Sequence, residues 1–156
     1  MFHKVDTDLN FIEREDKIRN FWKDHQIFEK SIETRAQGIP YVFYDGPPTA
    51  NGKPHIGHVL ARVFKDMVPR YRAMKGYMVP RKAGWDTHGL PVELEVEKNL
   101  GLDGKEQIET YGLEPFISHC KESVWKYKGM WEDFSNTVGF WADMENPYVT
   151  YHNNFI

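Results

Sequence analysis

Two short segments hold the residues best placed to do chemistry. The first is His55-Ile56-Gly57-His58. Two imidazoles three positions apart share one face of a helix. They fall where a strand and a proline-rich loop give way to helical spacing, which places them at a helix N-terminus. Such an end has free backbone N–H groups and the positive end of the helix dipole, and it binds phosphate. Paired imidazoles there can donate hydrogen bonds to phosphoryl oxygens. Gly57 is costly in a first helical turn, so something must approach the backbone closely, such as a flat adenine ring. Each histidine alone also suits an exposed or capping surface role. Two histidines are too few for a zinc site, and no third ligand is evident. A Gly-x-Gly-x-x-Gly or Walker-type phosphate loop is missing.

The second segment is Gly84-Trp85-Asp86-Thr87-His88-Gly89. A carboxylate at Asp86 beside Trp85 suits an ammonium group next to an apolar pocket. The competing role for Asp86 is a helix N-cap or turn residue.

The elements around these segments read as a strand–helix–strand unit. Residues 40–45 are aromatic and β-branched without a break, which predicts a short buried strand. A loop rich in Pro and Gly follows, with Asn51-Gly52 in it. A helix is expected from about His55 to Met74, with Ile56, Val59, Leu60, Val63 and Met67 as its apolar stripe and Arg62, Lys65, Arg70 and Arg72 mostly off it. Gly76 stops it. Residues 77–83 predict the second strand, so the sheet is parallel with a right-handed crossover. Ligands in such sheets bind beyond the carboxyl ends of the strands, where both loops fall.

Elsewhere, residues 10–30 predict an outer helix with Asn10 and Glu13 as a capping box. Helices are expected near 91–100, at Lys105–Tyr111, and from Pro115 to about Asn136. The last of these buries Phe116, Cys120, Val124, Tyr127, Trp131 and Phe134. Residues 147–151 suit a further strand. The expected division is a helical extension over 1–39 and the first half of a Rossmann-like α/β domain over 40–156.

The 156 residues are 40% hydrophobic and 15% aromatic, which can build a core, and the net charge of −3 argues for neither nucleic acid nor membrane as partner. The stretch Gly52–Lys82 is nonetheless strongly basic, with Asp66 its only acid. A locally held anion and a solvated basic face both fit that stretch. One cysteine, Cys120, excludes an internal disulfide. The N-terminus has no signal-peptide pattern, and no run approaches the ~18 apolar residues of a membrane span. A soluble, cytoplasmic protein is expected.

The run Asp45-Gly46-Pro47-Pro48-Thr49-Ala50-Asn51-Gly52-Lys53-Pro54-His55-Ile56-Gly57-His58 resembles the first signature of the class I aminoacyl-tRNA synthetases. With Gly84-Trp85-Asp86-Thr87-His88-Gly89-Leu90-Pro91-Val92-Glu93 it resembles the isoleucine enzymes among them. The resemblance runs from about residue 5 to the end.

It implies activation of L-isoleucine by ATP with Mg²⁺, then transfer to tRNA(Ile), in a parent protein that is monomeric. His55 and His58 would contact the ATP phosphates and stabilise the transition state. Gly57 would pack under adenine, and Thr49 and Asn51 would shape the nucleotide loop. Pro47 would touch the substrate side chain and Asp86 its ammonium group. The family's Lys-Met-Ser-Lys-Ser signature is absent, as are editing and anticodon-binding regions, so the chain reads as a truncated fragment with little or no activity of its own. Two other readings are a different nucleotidyltransferase with a His-x-Gly-His loop, and a non-catalytic module that binds tRNA or a partner.

Overall fold

The computed structural model describes residues 4–5, 7–46, 48–49 and 52–155. Its frame is a three-stranded parallel sheet in the order β1 (Phe43–Tyr44), β2 (Arg81–Trp85), β3 (Asp143–Val149). Phe43 pairs with Arg81, and Trp85 with Val149. The β2–β3 register slips between Lys82 and Gly84. Pro147 cannot donate to a ladder. In that stretch the Asp143 carboxylate instead accepts from the amides of Glu145 and Asn146, both at 3.0 Å.

Helix α1 (Phe11–Asp24) starts as the sequence predicts, with the Asn10 side chain accepting from the Glu13 amide at 3.2 Å. The single helix expected over 10–30 is interrupted, however. Gln26 takes a left-handed φ of 50°, and α2 (Ile27–Glu33) begins after it. Trp22 and Phe28 dock the pair on Trp141, at ring distances of 5.1 and 6.0 Å.

Between β1 and β2 runs α3 (Gly57–Met74), closed by Gly76 at a φ of 90°. Its facing reverses the sequence expectation. Ile56, Leu60, Val63 and Met67 are exposed, whereas Arg62 is buried. The cause is electrostatic. Asp45 at the end of β1 draws in Arg62 and Lys65, and Arg70 stacks 3.7 Å from the Trp141 ring centre while pairing with Asp66. Once the cations turn inward, the apolar stripe must turn outward. Much of the basic stretch is thereby spent within the fold, in ion pairs and on aromatic faces.

β1 is an edge strand rather than a buried one. Val42 and Tyr44 are exposed, while Tyr41 and Phe43 are half-buried. β2 also starts later than expected, after Pro80.

Four helices link β2 to β3: α4 (Leu90–Leu100), α5 (Lys105–Tyr111), α6 (Leu113–Ser123) and α7 (Lys128–Thr137). The long helix expected to reach Asn136 is thus two helices, parted at Val124–Tyr127, though its buried face is as predicted at Phe116, Val124 and Trp131. The main core joins Trp85, Val92, Val124, Trp131 and Val149. No helix among the described residues is long and apolar enough to cross a membrane.

Candidate active site

Both chemical segments emerge at the carboxyl ends of β1 and β2, and the backbone ties them together. Thr49 forms a parallel bridge with Asp86, whose amide donates to the Pro48 carbonyl at 3.1 Å. The Asp86 carboxylate is half-buried and has no side-chain partner among the described residues. Pro47 and Asn51 lie outside the described residues.

The second loop is anchored from β3 by a residue the sequence reading passed over. Thr150 Oγ1 accepts from the Thr87 amide at 3.0 Å and lies 2.7 Å from His88 Nδ1. Thr87 Oγ1 in turn accepts from the Tyr151 amide at 3.3 Å. Only the pairing of β2 with β3 brings these residues, more than 60 positions apart, into contact; no local pattern marks Thr150.

At the start of α3 the two imidazoles form a closed turn. The His58 amide donates to the His55 carbonyl at 2.9 Å, and the His55 amide donates back to His58 Nδ1 at 3.0 Å. The His58 ring thus takes the place that Glu or Gln holds in a capping box, but the reciprocal bond comes from the His55 carbonyl and not from a side chain. His55 Nδ1 accepts from the Gly57 amide at 3.1 Å. With both Nδ1 atoms accepting, each neutral ring carries its proton on Nε2. The ring that needs Gly57 bare is His55 itself, because a Cβ at position 57 would lie 3.0 Å from His55 Cε1. Burial, then the neighbouring His55 and Arg62, hold the His58 imidazole below its ordinary pKa.

Beneath this turn, Asp45 accepts from Arg62 Nη1 at 2.5 Å and Lys65 Nζ at 2.7 Å. Lys65 also donates to the Gly46 carbonyl at 2.8 Å, which joins the helix to the first loop. A cleft of about 260 Å³ opens between Gly46, Pro48, Thr49, His58, Ala61, Arg62, Lys65 and Trp131. One wall presents Lys65, 36% exposed, and the His58 ring, with Arg62 held behind on Asp45, which suits a phosphorylated ligand. No cluster of three or more His, Cys, Asp or Glu that could hold a metal occurs among the described residues.

Comparison with known proteins identifies the class of the fold and site. The family described as tRNA synthetases class I (I, L, M and V) matches residues 17–156, and the chain belongs to that family. Within it, the chain is 60% identical over all 156 residues to an isoleucine–tRNA ligase of Clostridium novyi, covering 15% of that protein. It is 56% identical over 153 residues to isoleucine–tRNA ligase 2 of Bacillus cereus strain ZK / E33L, again covering 15% of it. The chain thus spans about 15% of the length of these curated relatives. Among solved structures, the LeuRS of Agrobacterium radiobacter K84, in a ternary complex with tRNA and LeuAMS, matches 95% of this chain and 17% of its own, with a TM-score of 0.64 and 20% identity. That likeness supports the Rossmann-like fold alone.

Proposed function

We propose that this chain is the first half of the catalytic domain of an isoleucine–tRNA ligase, which activates L-isoleucine with ATP and passes it to tRNA(Ile). One observation carries this reading: the Pro48–Thr49 bridge to Asp86 puts a carboxylate with no side-chain partner among the described residues on the same sheet edge as the His55–His58 turn. Asp86 would hold the substrate ammonium, with Pro47 against its side chain. His55, His58 and the start of α3 would hold the ATP phosphates, with Thr49 and Asn51 shaping that loop and Gly57 leaving room beside adenine. Mg²⁺ would be carried on the phosphates.

The reaction asks little else of the protein. The isoleucine carboxylate attacks the α-phosphorus in line, the bond to the bridging oxygen breaks, and pyrophosphate leaves. The nucleophile is already an anion, so no general base is required. Catalysis is positioning plus neutralisation of growing charge. Each imidazole would donate from Nε2, since each Nδ1 is already bonded to a backbone amide. A single methylene separates isoleucine from valine, too small a difference for a binding pocket to reject valine fully, which is why such enzymes also edit.

The test is hydrogen exchange at residues 55–58 of the purified chain. ATP with Mg²⁺ slows exchange there and tRNA alone does not; protection by tRNA without protection by ATP would favour a binding module instead. Isoleucine-dependent exchange of pyrophosphate into ATP is expected to be weak or absent for this chain alone. Robust exchange would show that these residues suffice.

A further inference from the structure

We infer that Trp131 is a positioning residue for the first signature loop, its indole N–H fastened to the Gly52 carbonyl and its ring set against His58. This rests on the reading of His58 as a phosphate-binding group.

The geometry is specific. Trp131 sits on α7, is 3% exposed, and donates from Nε1 to Gly52 O at 2.8 Å across 79 positions of sequence. Its ring meets the His58 ring edge-on, with centroids 4.7 Å apart. The Arg62 guanidinium lies 5.7 Å from its centroid. One side chain thus touches the loop before the histidines, the second histidine, and the buried cation behind it.

Packing alone would not orient the indole this way. Trp85, in the same core cluster, is equally buried and its Nε1 finds no partner among the described residues. A phenyl ring could fill the core at position 131; the N–H is what reaches the loop. Around His58 the titratable groups are His55 and Arg62, with Lys65 lining the same cleft. From α7, Trp131 and Phe134 set their rings edge-on to it. Trp131 therefore contributes desolvation and a fixed ring orientation, not charge.

Three variants of the chain, read by NMR, test this. In Trp131→Phe the ring contact survives and the loop tether is lost. The Gly52 and Lys53 amides should become mobile while His58 still titrates low, and ATP binding should weaken about five-fold, as for one lost hydrogen bond. In Trp131→Ala the ring goes too, and the His58 midpoint should rise toward ~6.5. Val79→Ala, a truncation of a buried side chain just before β2, should lower stability and leave His58 and Gly52 unmoved.

The inference is overturned if Val79→Ala shifts His58 as far as Trp131→Ala does, or if Trp131→Phe leaves Gly52 as ordered as in the parent. Failure of the parent chain to bind ATP would instead count against the nucleotide reading, since the His58 and Gly52 measurements need no ligand.

Discussion

Asp45 and Arg62 face each other with side chains 1% and 5% exposed, while Lys65, the second cation on Asp45, is 36% exposed. Burial decides how much each contact matters. Asp45→Asn strands a desolvated guanidinium, and urea unfolding should register a loss of about 3–5 kcal/mol. Lys65→Met removes a half-solvated partner and should cost under ~1 kcal/mol; equal losses would mean that Lys65, not Arg62, is the partner that matters. Gly57→Ala separates stability from function. Alanine favours the helix by roughly 0.5–1 kcal/mol, but its Cβ crowds the exposed His55 ring. Melting temperature should hold or rise while ATP binding weakens, because His55 swings off the Gly57 amide. His58 adds a pH dependence. Its folded pKa lies below the ordinary value, so between the two the unfolded chain binds the extra proton. Stability is therefore complete above ~6.5 and falls as pH drops through that value toward the folded one. His58→Gln should flatten that step, seen as a smaller difference in melting temperature between about pH 7.5 and about pH 5.5.

Elements were legible from sequence where local signals agreed and misread where distant charges intervened. The Asn10 cap, the Gly76 stop and the Lys105–Tyr111 helix each rest on side chains within a few positions, and each stands as expected. The inverted facing of α3 does not rest on its own periodicity. A carboxylate at Asp45, seventeen positions from Arg62, sets it. Thr150 and the Trp131 link to Gly52 were invisible for the same reason: the sheet, not the sequence neighbourhood, brings them to the site. The positions of His55, His58 and Asp86 at one sheet edge were legible because strand–loop–helix order alone dictates that edge. The break between α1 and α2 was not, since Gln carries no turn signal. A left-handed φ at Gln26 costs an L-residue roughly 1–2 kcal/mol, part of which a glycine would return as unfolded-state entropy. Gln26→Gly should raise stability by up to ~1 kcal/mol in thermal melts; a loss would mean the Gln26 side chain supports the bend.

For the molecule as a whole, the outward face of α3 is the dominant surface feature. Leu60, Val63, Phe64, Met67, Tyr71 and Met74 are all more than half exposed, and Val42 and Tyr44 of the β1 edge are too. Singly, such residues are ordinary on a surface, but a contiguous stripe beside an unpaired strand edge drives association. Arg62, Lys65 and Arg70 of the same helix turn inward instead, onto Asp45, Asp66 and Trp141. The purified chain should therefore associate as concentration rises, and sedimentation velocity would follow it. The double change Leu60→Glu with Met67→Lys places charge on that face without touching the inward cations, so it should leave the circular dichroism spectrum and the melting temperature near those of the parent while shifting the sedimentation profile toward monomer. A parent chain that stays monomeric at every concentration would overturn this prediction.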